Sequence, residues 1–167
     1  MSSEIDLIKF IIGVMLGSKE TRIEDLLSLH PINWQRVKEY VIYHDLTPFA
    51  YLALKNSDSF LPQDLREFLE NNYYCALVRC QNLWQEFLRI SMAFEQADIN
   101  LVPIKGLALL GDIYTQMPIR LMTDIDLLVK EVDLPKAEAL FCDLGYRKEM
   151  YGLKEEYWRK NQCHITF

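Results

Sequence analysis

The sequence predicts an α+β protein: a helical region over residues 1–98 that includes one long helix, then a small mixed β-sheet core over residues 99–167. Three observations carry this. Apolar residues recur at three- and four-residue steps through the first part, without a break from Pro62 to about Ala97. After residue 98 the apolar runs shorten to strand length, and four of the six glycines fall there (Gly106, Gly111, Gly145, Gly152). The charge balance shifts as well, from 14 acids against 9 bases before residue 99 to 10 against 9 after it.

The elements follow in order. Ser2 or Ser3 is a candidate cap for a first helix with Ile5, Ile8, Ile12 and Met15 on one face and Gly17 near its end. A short helix is expected over Arg22–Leu29, interrupted by Pro31, and Asn33 suits the cap of a helix over Trp34–His44 with Trp34, Val37 and Val41 on one side. Pro48–Lys55 reads as another short helix. Pro62 then opens the long run, in which Leu65, Leu69, Tyr73, Leu77, Cys80, Trp84, Phe87 and Phe94 form the apolar stripe. At 1.5 Å per residue a helix of about 35 residues is roughly 50 Å long, too long for one compact layer unless it bends or projects. Leu101–Ile104 is a short apolar run, Leu107–Tyr114 a helix, Met117–Thr123 a loop, and Asp124–Val129 a strand entering a core. Asp133 is a candidate cap for a helix with Pro135 in its first turn, ended by Gly145 after Leu144. Tyr146–Met150 and Cys163–Phe167 are candidate strands, with a short helix over Glu155–Lys160 between them.

Half of the 167 residues are hydrophobic and a quarter are charged, which is a globular composition. A net charge of −6 argues against a general nucleic-acid coat, which needs a surplus of Lys and Arg. Cys75, Cys80, Cys142 and Cys163 form no C-x-x-C pair and read as free thiols, so a reducing cytoplasm is the expected setting. The apolar stretch Phe10–Gly17 is far short of the ~20 residues of a membrane span, and the Met-Ser-Ser-Glu start lacks a basic leader. Neither a membrane nor a secretory signal is expected.

The chemistry concentrates in Ile104-Lys105-Gly106 and Thr123-Asp124-Ile125-Asp126-Leu127-Leu128-Val129. Residues i and i+2 of a strand share a face, so Asp124 and Asp126 present two carboxylates side by side at the edge of an apolar strand. Such a pair calls for a cation, and carboxylate oxygen suits Mg²⁺ or Mn²⁺ held together with substrate phosphates. Lys105-Gly106 lies where a strand turns into a helix, so Gly106 allows a phosphate to approach backbone N–H groups and Lys105 adds charge. Arg120 is a further candidate for a phosphate. Each piece has a plainer reading: a lone D-x-D is commonly a solvated strand end, a helix-entry glycine needs no ligand, and Arg120 can pair with a nearby Asp. His164 reads as structural, and adjacent Cys163 points to the opposite side of its strand. Tyr73, Tyr74, Trp84, Phe87 and Phe94 read as helix core.

Together, from Leu101 to about Tyr146, the string Leu-Val-Pro-Ile-Lys-Gly-Leu-Ala-Leu-Leu, Tyr114, Arg120, Thr-Asp-Ile-Asp-Leu-Leu-Val and a helix ending in Leu-Gly-Tyr resembles the polymerase-β-like nucleotidyltransferase superfamily. It is most similar to the group described as uncharacterised nucleotidyltransferases. The resemblance implies that Asp124 and Asp126 bind the divalent metal carrying a nucleoside triphosphate. It also implies that Gly106 opens the phosphate-binding helix with Lys105 near the phosphates, and that a nucleoside monophosphate passes to an acceptor hydroxyl or phosphate with release of pyrophosphate. Two departures stand out. The superfamily has Gly-Ser at the helix entry, and here Leu107 follows Gly106. The superfamily also has a third carboxylate on a later strand; after Asp126 the acids are Glu131, Asp133, Glu138, Asp143, Glu149, Glu155 and Glu156, of which Glu149 alone is near a predicted strand. In the resembling group that acid follows a segment like His164-Ile-Thr-Phe, where this sequence stops, so the core reads as incomplete at its C-terminal end.

Three functions stay open on the sequence. The first is a nucleotidyltransferase acting on an unknown acceptor: a small molecule such as a sugar or antibiotic-like compound, a peptide or a protein. The second is a non-catalytic module of the same fold whose long helix docks a partner or a second copy of the chain; Leu107 and the missing acid favour it. The third is a helical adaptor in which Asp124 and Asp126 act only locally and Lys105 lies far from both.

Overall fold

The computed structural model describes residues 3–15, 31–57, 61–112, 122–149 and 165–167. The helices expected over Arg22–Leu29 and Glu155–Lys160, together with Tyr114, Arg120, Cys163 and His164, lie outside the described residues. The fold is α+β, with six α-helices, one 3₁₀ turn and one two-stranded sheet among the described residues. In chain order these are α1 (Ser3–Met15), α2 (Trp34–Tyr43), α3 (Thr47–Leu54), α4 (Gln63–Gln96), β1 (Leu101–Pro103), α5 (Lys105–Asp112), β2 (Leu127–Val129) and α6 (Leu134–Asp143). No helix among the described residues is long and apolar enough to cross a membrane.

The chain forms two compact units, Met1–Leu83 with Leu109–Asp124, and Trp84–Ala108 with Ile125–Phe167. The 34 residues of α4, about 51 Å of helix, are divided between them, which accounts for a helix longer than one small core needs. Its buried stripe is Leu65, Leu69, Ala76, Cys80, Ile90 and Phe94, while Tyr73, Leu77, Trp84 and Phe87 are half-buried beside it.

In the first unit, Leu65 and Leu69 of α4 close a core made by Leu7 and Ile11 of α1, Val37 and Val41 of α2, and Ala50 and Leu54 of α3. The Asn33 side chain caps α2 by accepting the Arg36 backbone N–H at 3.1 Å, as its position predicts. The face of α1 differs from expectation. Leu7 and Ile11 are fully buried and Ile5 is exposed. The helix is apolar nearly all round, so several stripes satisfy its period. What orients it is polar: Glu4 accepts the Asn33 backbone N–H at 3.2 Å, and the Ser3 hydroxyl donates to the Pro31 carbonyl at 3.2 Å. Ser3 thus lies inside the helix, and its hydroxyl ties α1 to the chain entering α2.

In the second unit, Ile90 and Phe94 of α4 pack with Ile99 and Ala137, and the Phe141 ring of α6 stacks on Phe167, meets Tyr146 edge-on and lies tilted against Phe94. The strands β1 and β2 run antiparallel, pairing Leu101 with Val129 and Pro103 with Leu127. Leu101, Leu127 and Val129 cover the Phe94 core. Asp133 stands at the cap position of α6, but its side chain makes no cap hydrogen bond. It closes a 3₁₀ turn over Glu131–Asp133 and keeps helical backbone angles, whereas a capping side chain needs an extended backbone to reach back. Glu149 and Thr166 form an isolated antiparallel bridge, the described remnant of the two later strands expected from the sequence.

Candidate functional site

The sheet decides where the motif residues point. The pairing extends one step past β1, because the Ile104 N–H donates to the Asp126 carbonyl at 3.0 Å. Residues opposite one another in an antiparallel pair share a face, so Val102 with Leu128 and Ile104 with Asp126 lie on one side. The other side, with Leu101, Leu127 and Val129, is buried on the core. Val102 and Leu128 are 52% and 57% exposed, so Asp126 belongs to the open face of the sheet. Its carboxylate is set at the margin of the core, roughly a quarter exposed, by a strand whose alternate residues are anchored below it. Asp124 stands two residues earlier, in the segment that leads into β2; it is exposed, and the Thr123 hydroxyl donates to its Oδ1 at 3.5 Å.

Helix α5 begins directly after β1 and brings Lys105 to the same place. Lys105 Nζ donates to Asp126 Oδ1 at 2.7 Å across 21 residues of sequence. Lys105 is therefore not remote from Asp126, contrary to one part of the helical-adaptor reading. The Lys105 backbone is left-handed (φ 53°), a conformation an L side chain seldom holds without a local reason. Gly106 follows at the second position of α5 and is half-buried. Leu107, where the superfamily carries serine, is buried and serves packing. Arg120 lies outside the described residues.

The donor set fits a hard divalent cation. It is all carboxylate oxygen, and Mg²⁺ characteristically takes one or two carboxylates and completes its shell with substrate phosphates and water. Asp126 already receives a cation, the Lys105 ammonium, on one oxygen. Among the described residues no group of three or more His, Cys, Asp or Glu side chains gathers into a metal-sized cluster. Glu149 is exposed, and its backbone N–H is engaged with the Thr166 carbonyl at 2.9 Å.

The second unit has another polar cluster, which sequence reasoning missed. Glu86 and Arg89, one turn apart on α4, form a two-point pair (Nη2 to Oε1 2.6 Å, Nε to Oε2 3.0 Å), and the Tyr146 hydroxyl donates to the same Glu86 oxygen. Arg89 also donates to the Leu144 carbonyl at 3.4 Å and lies over the Tyr146 ring. Hydrogen bonds from Arg89 and then Tyr146 hold the Glu86 carboxyl down at about 2, against partial burial, while burial and Glu86 push the Tyr146 hydroxyl up. This cluster fastens the chain leaving α6 onto α4. The i, i+3 Glu-Arg spacing was readable; the tyrosine 60 residues away was not.

In the first unit an open cleft of about 120 Å³ is lined by Tyr51, Leu54, Lys55, Leu61, Arg66, Leu69 and Glu70. It contains none of the candidate metal- or phosphate-binding residues Lys105, Gly106, Asp124 and Asp126. Cys80 is buried, and loss of solvent pushes its thiol up against a hydrogen bond from the Met122 backbone. Cys75 and Cys142 are exposed thiols.

The family model described as uncharacterised nucleotidyltransferase matches residues 30–166. The chain belongs to that family. The match takes in Lys105, Gly106, Arg120, Asp124 and Asp126, and it also includes α2, α3 and α4, so the helices upstream of the sheet are part of the nucleotidyltransferase family unit. No curated protein and no solved structure matches the chain.

Proposed function

We propose that this nucleotidyltransferase-family chain binds a nucleoside triphosphate with Mg²⁺ or Mn²⁺ at Asp124 and Asp126 and transfers the nucleoside monophosphate to an acceptor. The observation that carries the reading is Asp126 on the open face of the sheet, met at 2.7 Å by a lysine from the start of the next helix. A carboxylate for a metal and an ammonium for phosphate thus stand within one side-chain length of each other. In this reading Asp124 and Asp126 hold the ion, Lys105 faces the phosphates and Gly106 leaves the start of α5 open to them. When bound, the ion supplies charge neutralisation at the triphosphate. The acceptor oxygen forms its bond to the α-phosphorus as the bond to the β-phosphate oxygen breaks. Pyrophosphate leaves, and the acceptor proton is released to solvent water. Arg120 is proposed as a further phosphate ligand.

The test is isothermal titration of the full chain with each of the four ribonucleoside triphosphates, with and without Mg²⁺. The expected result is saturable binding of at least one triphosphate that requires the metal and weakens at least tenfold in Asp126→Asn. Metal-independent binding, or no binding by a folded chain, would sink the proposal.

A second reading has one observation in its favour. α4 exposes Tyr74, Val78, Leu88 and Met92, large apolar residues spaced along the helix. The same family fold can act as an interaction module that docks a protein, or a second copy of the chain, through this helix. Sedimentation of wild type and Val78→Glu/Met92→Glu tests it: a larger wild-type species that the double substitution dissociates supports self-association, and a monomer in both excludes it.

A further inference from the structure

We infer that Lys105 is the built-in counter-ion of Asp126 and changes partners on substrate binding, so that the metal and the triphosphate bind as a cooperative pair. The inference rests on the proposed metal–triphosphate reading and adds to it an order of events. In the structure the Lys105 ammonium lies 2.7 Å from Asp126 Oδ1, while its side chain is 65% exposed and that of Asp126 27%. An ammonium so placed neutralises the carboxylate, and a divalent ion that approaches the same group meets both a competitor and a like charge. A triphosphate removes both obstacles. Its oxygens offer the ammonium a more strongly charged partner, and Lys105 reaches them by rotation of an exposed stem. The metal alone and the triphosphate alone therefore bind weakly, and each raises the affinity of the other by the same factor.

The backbone points the same way. Lys105 is left-handed, and glycine would occupy that position with less strain. A lysine held in this left-handed conformation directly beside Gly106 points to the side chain as what the site requires.

The strain also supplies a clean variant. Lys105→Gly deletes the ammonium and relaxes the backbone, so it folds at least as well as wild type; Lys105→Met keeps the stem, and Lys105→Arg keeps the charge. Free Mn²⁺ is followed by electron paramagnetic resonance, first with the metal alone and then in the presence of the triphosphate selected by titration, with thermal melting of each variant as a control. The expected result is a change of opposite sign within one variant. Lys105→Gly and Lys105→Met bind Mn²⁺ alone about fivefold more tightly, the size of an exposed charge pair, and bind Mn²⁺–triphosphate about fivefold more weakly. Lys105→Arg stays near wild type in both. A lysine needed only for folding would move both affinities the same way. If wild type binds Mn²⁺–triphosphate but the variants bind Mn²⁺ alone no more tightly, the exchange is overturned and the metal–triphosphate reading stands. If wild type does not bind Mn²⁺–triphosphate, both fall.

Discussion

At the scale of single residues, two charged clusters in the second unit illustrate different uses of the same chemistry. Lys105 and Asp126 sit on the open face of the sheet, where a charge pair contributes little to stability and remains available to a ligand. Glu86, Arg89 and Tyr146 lock two segments together and are already engaged with one another. The second cluster makes stability depend on pH in a defined window. The folded-state pKa of Glu86, about 2, lies below the ordinary carboxylate value of 4.5, so the folded state binds the proton less readily than the unfolded chain. Its stabilising effect is complete above pH 4.5 and is lost as the pH falls from there through 2. Urea unfolding of wild type and Glu86→Gln between pH 6 and pH 2.5 checks this. The stability difference between the two should be largest at pH 6 and shrink towards pH 2.5; a constant difference would mean that Glu86 is not held down by its partners.

At the scale of elements, three helices end in one way. After α2, α4 and α6 a left-handed residue (Asp45, Asp98, Gly145) turns the chain, and the following N–H reaches back to a carbonyl five residues earlier: Leu46 to Val41, Ile99 to Phe94, Tyr146 to Phe141. The residue that makes this bond then packs inward at Ile99 and Tyr146, which aims the chain from α4 into β1 and from α6 along α4. Only the glycine announced itself in the sequence, because aspartate is ordinary on helix ends and loops alike. Glycine at the two aspartate positions relieves a left-handed penalty of roughly 1–2 kcal/mol against an added chain-entropy cost of roughly 0.5–1 kcal/mol, so Asp98→Gly is expected to stabilise the chain by up to about 1 kcal/mol, read from denaturant midpoints at an unchanged slope. No gain, or a loss, would mean that the aspartate side chain itself does work at this turn. Among the strands, the apolar runs at Leu101 and Leu127 were legible from their length, but the strand expected over Asp124–Val129 forms only over Leu127–Val129, and the antiparallel direction and the register were not legible. Register rests on which faces bury, and in three-residue strands that depends on α4 and α6 beneath them.

At the scale of the whole chain, the α+β class, the long helix and the family were legible, because each rests on a pattern sustained over many residues: a period of 3.6 through α4, and an ordered motif from Leu101 to Tyr146 that the family match extends to residues 30–166. The face of α1 and the pairing of Lys105 with Asp126 were not. The first turns on two side-chain hydrogen bonds made by Ser3 and Glu4, and the second on a register that brings together residues 21 apart. Motif spacing places Lys105 and Asp126 in the same neighbourhood and assigns the lysine to a phosphate; the structure adds its contact with Asp126. The central claim is that the two aspartates hold the metal of a metal–triphosphate. A crystal structure of the chain grown with Mg²⁺ and a triphosphate that resists cleavage between its α- and β-phosphates tests it most directly. The account predicts a Mg²⁺ ion about 2.1 Å from oxygens of both Asp124 and Asp126 and from at least one phosphate oxygen, with the Lys105 ammonium moved from Asp126 to the phosphates. A triphosphate bound with its metal away from both aspartates would contradict it.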